Sequence, residues 1–343
     1  MKDMIVRTRA NVRALTGVDC AGEAWVVFAD GETALYTDFR YIPMARRVAP
    51  DLKIRDVKRF APDLNRLWGG KGAAAKRIGF EKAISVAEFE KLKQALPRAK
   101  FVDVTRELQQ RRAVKSPDEI AKMRASSRMN VEIWKEASAR FRAGMTEREM
   151  AGLIRSLMFR RGACEAFDTI VCIGANAAEC HHMPDDTVWD GRTPILVDMG
   201  VMLDGYCSDL TRNLVPGMGF KVPGAGRPRV SSLYRKVYEL VLKANRAAIA
   251  ALKPGMTGKA LDKVARDVIR KGGFGKCFGH SLGHGVGFEV HEAPTASRKS
   301  DWVLKPGMFV TIEPGIYLEG NLGVRIEDLV LVTEDGCEVI TVE

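Results

Sequence analysis

The chain has 343 residues, 46% of them hydrophobic and 28% charged, with seven cysteines and a formal net charge of +11. That length accommodates two domains with full cores, and the composition excludes disordered, fibrous and disulfide-framework classes. The charge is uneven: residues 1–113 carry 23 Lys and Arg against 14 Asp and Glu, and the remainder carries 31 against 29.

The bases of the first part are dispersed, with no cluster interleaved with aromatics, so nucleic-acid binding is not expected. The seven cysteines are irregularly spaced and include no CxxC pair, which suits reduced thiols. The N-terminal MKDMIVRTRANVRAL has no apolar signal core, and no run approaches membrane-spanning length. A soluble, cytoplasmic protein with no membrane association is the expectation.

In the first part, β-prone runs (AWVVFAD, TALYTD, RIGFE) alternate with helical ones such as SVAEFEKLKQAL. That alternation predicts an α/β layer domain over residues 1–113. The break falls near RRAVKSP. Ser116-Pro117-Asp118-Glu119 then opens a long helix, with proline in the first turn and acids near the N-terminus.

The second part, residues 114–343, contains an internal repeat. FRAGMTEREMAGLIRSLMFRRG (141–162) aligns with LKPGMTGKALDKVARDVIRKGG (252–273), matching Gly144 with Gly255, Arg155 with Arg266 and Gly162 with Gly273. Each copy predicts a helix, a glycine turn and a second helix N-capped by threonine. A histidine window and a carboxylate hairpin follow each copy, which suggests a site on a pseudo-twofold axis. The chain has only five histidines, and they fall in those windows: His181 and His182, then His280, His284 and His291.

The first hairpin is PILVDMGVMLDGYCSDLTRNLV (194–215). Asp204-Gly205 is a favoured type I′ pair. That turn places Asp209 opposite Gly200, so Asp198 and Asp209 become diagonal neighbours on one face. Asp198 interrupts an apolar strand, and a buried carboxylate is costly unless paired or metal-bound. The companion hairpin joins FVTIEPGIYL (309–318) to GVRIEDLVLVTEDG (323–336), with Glu313 ahead of a Pro-Gly break and Arg325 two residues before Glu327. Asp198, Asp209, Glu313 and Glu327 supply four negative charges, enough for two divalent cations about 3.5–4 Å apart, the arrangement of a hydrolytic two-metal site. The segment 216–232, rich in Gly, Pro and Arg, reads as an exposed loop.

VDMGVMLDGYCSDLTR, HSLGHGVGFEVHE, TIEPGIY and GVRIEDLVLVTEDG resemble the signatures of the pita-bread dinuclear metallopeptidases, in the Xaa-Pro branch of aminopeptidase P and prolidase. LTGVDCAGEAWVVFADGETALYTDFRY resembles that family's creatinase-like N-terminal domain. The resemblance implies an α+β fold: a pita-bread catalytic domain, with a curved antiparallel sheet, helices and a pseudo-twofold repeat, after a smaller α/β domain. It implies that Asp198, Asp209, His284, Glu313 and Glu327 hold two divalent ions (Mn, Co, Fe or Zn), with Asp209 and Glu327 bridging. His291 matches the substrate histidine and His181 the histidine facing the tetrahedral intermediate. His280 would line the site, and Arg325 would support a ligand or orient substrate. The implied reaction is attack by a metal-bridging hydroxide on the bond before a proline at the second position. Glu313 would shuttle the proton to the leaving nitrogen, and the enzyme would be a homodimer. Thr295 follows HEAP where some prolidases carry an arginine for the substrate carboxylate, which weakens a strict dipeptidase reading, the alternative to aminopeptidase-like action.

Overall fold

The computed structural model describes residues 2–69, 76–218 and 228–342. The central part of the predicted 216–232 loop, residues 219–227, lies outside the described residues. Backbone packing divides the chain into two units, Met1–Arg112 and Ala113–Glu343.

The first unit runs β1 (Met4–Val6), α1 (Arg9–Thr16), β2 (Ala24–Ala29), β3 (Glu32–Thr37), α2 (Ile42–Val48), β4 (Lys53–Asp56), α3 (Phe60–Trp68), β5 (Arg77–Phe80), α4 (Val86–Ala95), β6 (Lys100–Asp103) and α5 (Thr105–Ala113). The strands form one mixed sheet in the order β4-β3-β2-β1-β5-β6. Asp30 and Gly31, both at positive φ, turn β2 tightly onto β3. Alternate residues of β2 serve opposite faces. Trp25 and Val27 pack with Leu64 and Leu92, whereas Val26 packs with Val12, Ala45 and Leu108. Helices therefore cover both faces of the sheet, the layering that the alternating runs predict.

The second unit opens with α6 (Pro117–Arg140) and α7 (Glu147–Arg160), each N-capped through a complete capping box, Ser116 with Glu119 and Thr146 with Glu149. The short strands β7 (Cys164–Glu165), β8 (Ile170–Ile173), β9 (Ile195–Met199), β10 (Val201–Leu203), β11 (Tyr206–Cys207) and β12 (Leu210–Leu214) follow. The second half has α8 (Ser232–Ala251), α9 (Gly258–Lys271), β13 (Gly283–Gly285), β14 (Glu292–Ala296), β15 (Phe309–Ile312), β16 (Gly315–Leu318), β17 (Leu322–Arg325), β18 (Asp328–Val332) and β19 (Cys337–Val339). Every strand pairing described in this unit is antiparallel.

The internal repeat is visible in the backbone. The Gly144 N–H donates to Trp189 O and the Gly255 N–H to Leu304 O, while Trp189 N returns to Met145 O and Leu304 N to Met256 O. Both glycines hold positive φ, 91° and 86°, which a side chain would strain. Each half also has its own apolar core. One is built around Trp134, Ile154, Trp189 and Val197, the other around Val241, Leu261, Phe278 and Val324.

The first hairpin differs from the continuous pair read from the sequence. Its strand splits into β9 and β10 at Gly200, and the return splits into β11 and β12 around Ser208-Asp209. Only glycine fits at the break: a Cβ on Gly200 would lie 2.4 Å from the Phe167 ring and 2.6 Å from Ser208 O. The register survives the split, with Met202 opposite Cys207 and Asp198 opposite Thr211. Asp204 and Gly205 hold φ of 51° and 77°, as the predicted turn requires.

Candidate metal centre

Asp198 lies in β9, inside an otherwise apolar strand paired on both sides, with Ile170 on β8 and Thr211 on β12. Asp209 stands just before β12, opposite Gly200 in the common register. In the companion hairpin, Ile312 pairs with Asp328 and Gly315 with Arg325. That register sets Glu313 and Glu327 across from each other in the gap between the two ladders. The hairpins are stitched together: Glu327 N–H donates to Thr211 O at 3.2 Å, and Thr211 Oγ1 donates to Glu327 Oε2 at 2.7 Å.

His284 reaches this cluster from β13. A Cβ on Gly283 would fall 1.8 Å from Thr311 O, and one on Gly285 would fall 2.2 Å from Ala293 O. Both flanking glycines are therefore needed for the strand to approach. His284 Nδ1 lies 3.2 Å from Gly285 O, an acceptor, so Nδ1 carries a proton. That leaves Nε2 facing Glu313 Oε1 at 3.2 Å and Asp209 Oδ2 at 3.7 Å.

The electrostatics are severe. Asp209 and Glu327 are pushed well above the ordinary carboxylate range, first by burial and then by neighbouring carboxylates. Burial is the largest influence on Glu313 and acts to raise it, but the bond to His284 together with the charges of His284, His280 and Arg325 holds it low. His284 is raised against its own desolvation by that bond, the Glu313 charge, the Gly285 carbonyl and Asp198 combined. Asp198 Oδ1 is buried without a hydrogen-bond partner among the described residues. An orphaned carboxylate oxygen, two carboxyls that resist ionisation and an imidazole nitrogen aimed at oxygens together fit a divalent-cation site. Asp209, His284 and Glu327 each offer a ligand atom within 4.8 Å of the others. Oxygen and imidazole donors suit Mn, Co, Fe or Zn.

Arg325 is 4% exposed and donates from Nη2 to Asp198 Oδ2 at 2.6 Å, from Nη1 to Tyr317 Oη at 2.8 Å and from Nε to Thr211 Oγ1 at 3.1 Å. Its ion-pair partner is thus Asp198 rather than the nearby Glu327. His280 Nδ1 faces Ser281 O at 2.8 Å and must donate, so in the neutral ring Nε2 accepts from Tyr317 Oη at 2.9 Å. Burial lowers the His280 pKa, in keeping with that neutral ring. Both His280 nitrogens are engaged, so it lines the site without a free ligand atom. The sequence reading did not single out Thr211 and Tyr317. Strand alternation from Asp209 and from Gly315 is the signal that would have found them.

The cluster floors a cavity of about 500 Å³. Phe167, Ile170, Met183 and Val290 contribute its apolar wall, and His181, His280 and His291 face into it. Burial and then His284, whose ring centroid is 4.3 Å away, lower the His291 pKa. His182 instead turns to Glu147, at 2.7 Å. Cys180 lines the cavity, while Cys172 and Cys207 are buried.

Residues 121–334 match metallopeptidase family M24, and residues 2–114 match the creatinase/prolidase N-terminal domain. The chain belongs to the M24 family. An Xaa-Pro dipeptidase of Pyrococcus furiosus is 33% identical over 332 residues, 96% of this chain and 90% of that relative. The solved prolidase from Pyrococcus furiosus aligns with a TM-score of 0.88 at 32% identity, covering 100% of this chain and 97% of that one. The X-Pro aminopeptidase from Thermotoga maritima MSB8 aligns with a TM-score of 0.85 at 34% identity, covering 100% and 96%. This M24 chain therefore has the α+β pita-bread architecture behind a creatinase-type N-terminal domain, with carboxylate and histidine clusters able to hold metal. Among the described residues, no helix is long and apolar enough to cross a membrane.

Proposed function

We propose that the chain is an Xaa-Pro exopeptidase of aminopeptidase type, releasing the N-terminal residue ahead of a proline. The observation that carries this reading is the convergence of Asp198, Asp209, His284, Glu313 and Glu327 beneath a cavity faced by His181 and His291. The chain's similarity to an Xaa-Pro dipeptidase, a prolidase and an X-Pro aminopeptidase supports the Xaa-Pro part of this reading.

In this account Asp198, Asp209, His284, Glu313 and Glu327 would hold two divalent ions. Such ions supply Lewis acidity and an acidified water near neutral pH. The residues do the rest. The carboxylate cluster draws the substrate's free amino end. His291 and His181 donate to the oxygen that gains charge at the scissile carbonyl. Glu313 takes the proton of the attacking water and returns it to the prolyl nitrogen, which has no hydrogen of its own and leaves poorly unless protonated. Arg325 fixes Asp198. A homodimer belongs to the same proposal.

The dipeptidase alternative requires a counter-ion for a C-terminal carboxylate close to the site. Arg325 is the only arginine or lysine among the described residues lining the cavity, and Asp198, Tyr317 and Thr211 already engage it. Thr295 adds no charge. Longer peptides are therefore the preferred substrates.

The test is product analysis with Mn-loaded protein on Ala-Pro, Ala-Pro-Ala and Ala-Ala-Ala, beside an Asp209→Ala variant. Alanine should appear from the prolyl peptides alone, faster from the tripeptide, and not with the variant. Cleavage of Ala-Ala-Ala at a comparable rate, or no cleavage with both ions verified as bound, would overturn the reading.

A further inference from the structure

The two halves of the catalytic unit share a threonine-capped helix start but place very different residues at the helix's first position. In each, a threonine caps the second helix, and the helix's first residue donates its backbone N–H to a segment alongside, Glu147 to Thr187 O and Gly258 to Trp302 O. The second half uses glycine there, because a Cβ would stand 2.0 Å from Thr295 O. The first half uses Glu147, which is wholly buried. The helix start itself therefore needs no carboxylate.

Glu147 accepts four hydrogen bonds. Oε1 receives Ile173 N–H at 2.6 Å and Asn176 Nδ2 at 2.9 Å, and Oε2 receives His182 Nε2 at 2.7 Å and Asp185 N–H at 3.1 Å. These bonds span the stretch that carries Cys180, His181 and Met183 along the cavity wall. The other His182 nitrogen, Nδ1, lies 3.4 Å from Glu179 Oε2. Carboxylates only accept, so a ring protonated on both nitrogens satisfies both contacts, and the pair favours the cationic form. Burial is the largest influence and opposes that charge, yet the bond to Glu147, its charge, and the contacts with Glu179 and Asp185 together raise the His182 pKa.

Glu147, His182 and Asp185 also have the spacing of a metal cluster. Each Glu147 oxygen already accepts two hydrogen bonds, so an ion there would have to displace at least one of them. The hydrogen bonding instead describes an anchor. His181, by contrast, makes no hydrogen bond among the described residues, so its neighbours set its place.

The other half is built the same way with reversed polarity. Glu292 follows His291 and meets Lys115 Nζ at 2.5 Å, with both side chains buried. In each half, the residue after the site histidine is tied down by an ion pair.

We propose that the Glu147–His182 pair is a positioning device for His181, clamping its segment to the start of α7 so that the histidine faces the carboxylate cluster. This rests on the role assigned to His181 above. It predicts that His182 and Glu147 act on the reaction only through that neighbour.

The test is a double-mutant cycle on the metal-loaded full chain with His182→Ala, His181→Ala and both, cleaving Ala-Pro-Ala. Bound metal is quantified for each variant, and amide hydrogen exchange over residues 173–187 is measured on the metal-free protein. A displacement of about 1 Å can cost on the order of 100-fold in rate. His182→Ala should lower kcat/KM at least about tenfold, mainly in kcat, with metal content unchanged and exchange in the segment accelerated. In the His181→Ala background the same change should matter less than about threefold, as expected of residues acting as one unit. His182→Gln, which keeps a donor for Glu147, should recover most of the loss and serves if His182→Ala does not fold. The proposal is overturned by multiplying effects in the double variant, by loss of bound metal, or by unchanged exchange. A wild-type protein that cleaves no peptide refutes the functional reading instead, and the exchange measurement still decides whether the pair holds the segment.

Discussion

Replacing Arg325 with methionine tests how the buried carboxylates are held. The side chain keeps its length and apolar stem but loses every donor. Asp198 Oδ2 then loses a charged partner at 2.6 Å, Tyr317 Oη one at 2.8 Å and Thr211 Oγ1 one at 3.1 Å. Removing one member of a buried ion pair costs about 3–5 kcal/mol, because the other charge stays buried and uncompensated. For a unit the size of Ala113–Glu343, each kcal/mol moves the midpoint by about 2–4 °C, so the metal-free catalytic unit should melt about 6–20 °C lower. Arg325→Lys should fall between, since it keeps the charge without the planar fork. Adding Asp198→Asn to Arg325→Met should cost less than the sum of the two single changes, because the stranded charge is gone. Differential scanning calorimetry in EDTA reads the unaltered protein, the three single variants and the double variant. A drop below about 2 °C for Arg325→Met, or additive losses in the double variant, would refute the reasoning.

Three further outcomes follow from the geometry. The folded pKa values of Asp209 and Glu327 lie above their unfolded values of 3.8 and 4.5. Their protons therefore stabilise the metal-free protein at low pH, and that contribution is lost as pH rises through the folded values. Ion binding must displace those protons, so calorimetry in two buffers of different ionisation heat should show proton release, and affinity should rise with pH; no release at any pH where the apo protein stays folded counts against the two raised carboxyls. Gly323→Ala should destabilise the unit by about 1–3 kcal/mol, because its Cβ would stand 1.6 Å from Ala177 O, and a variant of wild-type stability in urea would contradict that contact. Thr295→Arg should raise the Ala-Pro rate relative to Ala-Pro-Ala by supplying the missing counter-ion, and an unchanged ratio would remove Thr295 from the specificity argument.

Some of this was legible in the residues because local chemistry dictates it. The Asp204-Gly205 turn sets the register that makes Asp198 and Asp209 diagonal neighbours, and the structure keeps that register. The matched GMT segments gave the two helix starts, including both threonine caps. The need for glycine at residue 200 was not legible, because the crowding comes from Phe167, which approaches from a segment distant in sequence. The Asp198 partnership of Arg325 was hidden for the same reason: it joins residues 127 positions apart. Glu147 reads in sequence as an ordinary first-turn acid favoured by the helix dipole. Only the tertiary approach of residues 173–185 turns it into an anchor.

The most direct test of the central claim is to titrate metal-free protein with Mn while following alanine release from Ala-Pro-Ala and counting bound ions. The account predicts that activity appears with metal, saturates at two ions per chain and is absent from His284→Ala and Asp209→Ala at any metal level. Full activity in EDTA, or in either variant, would contradict it.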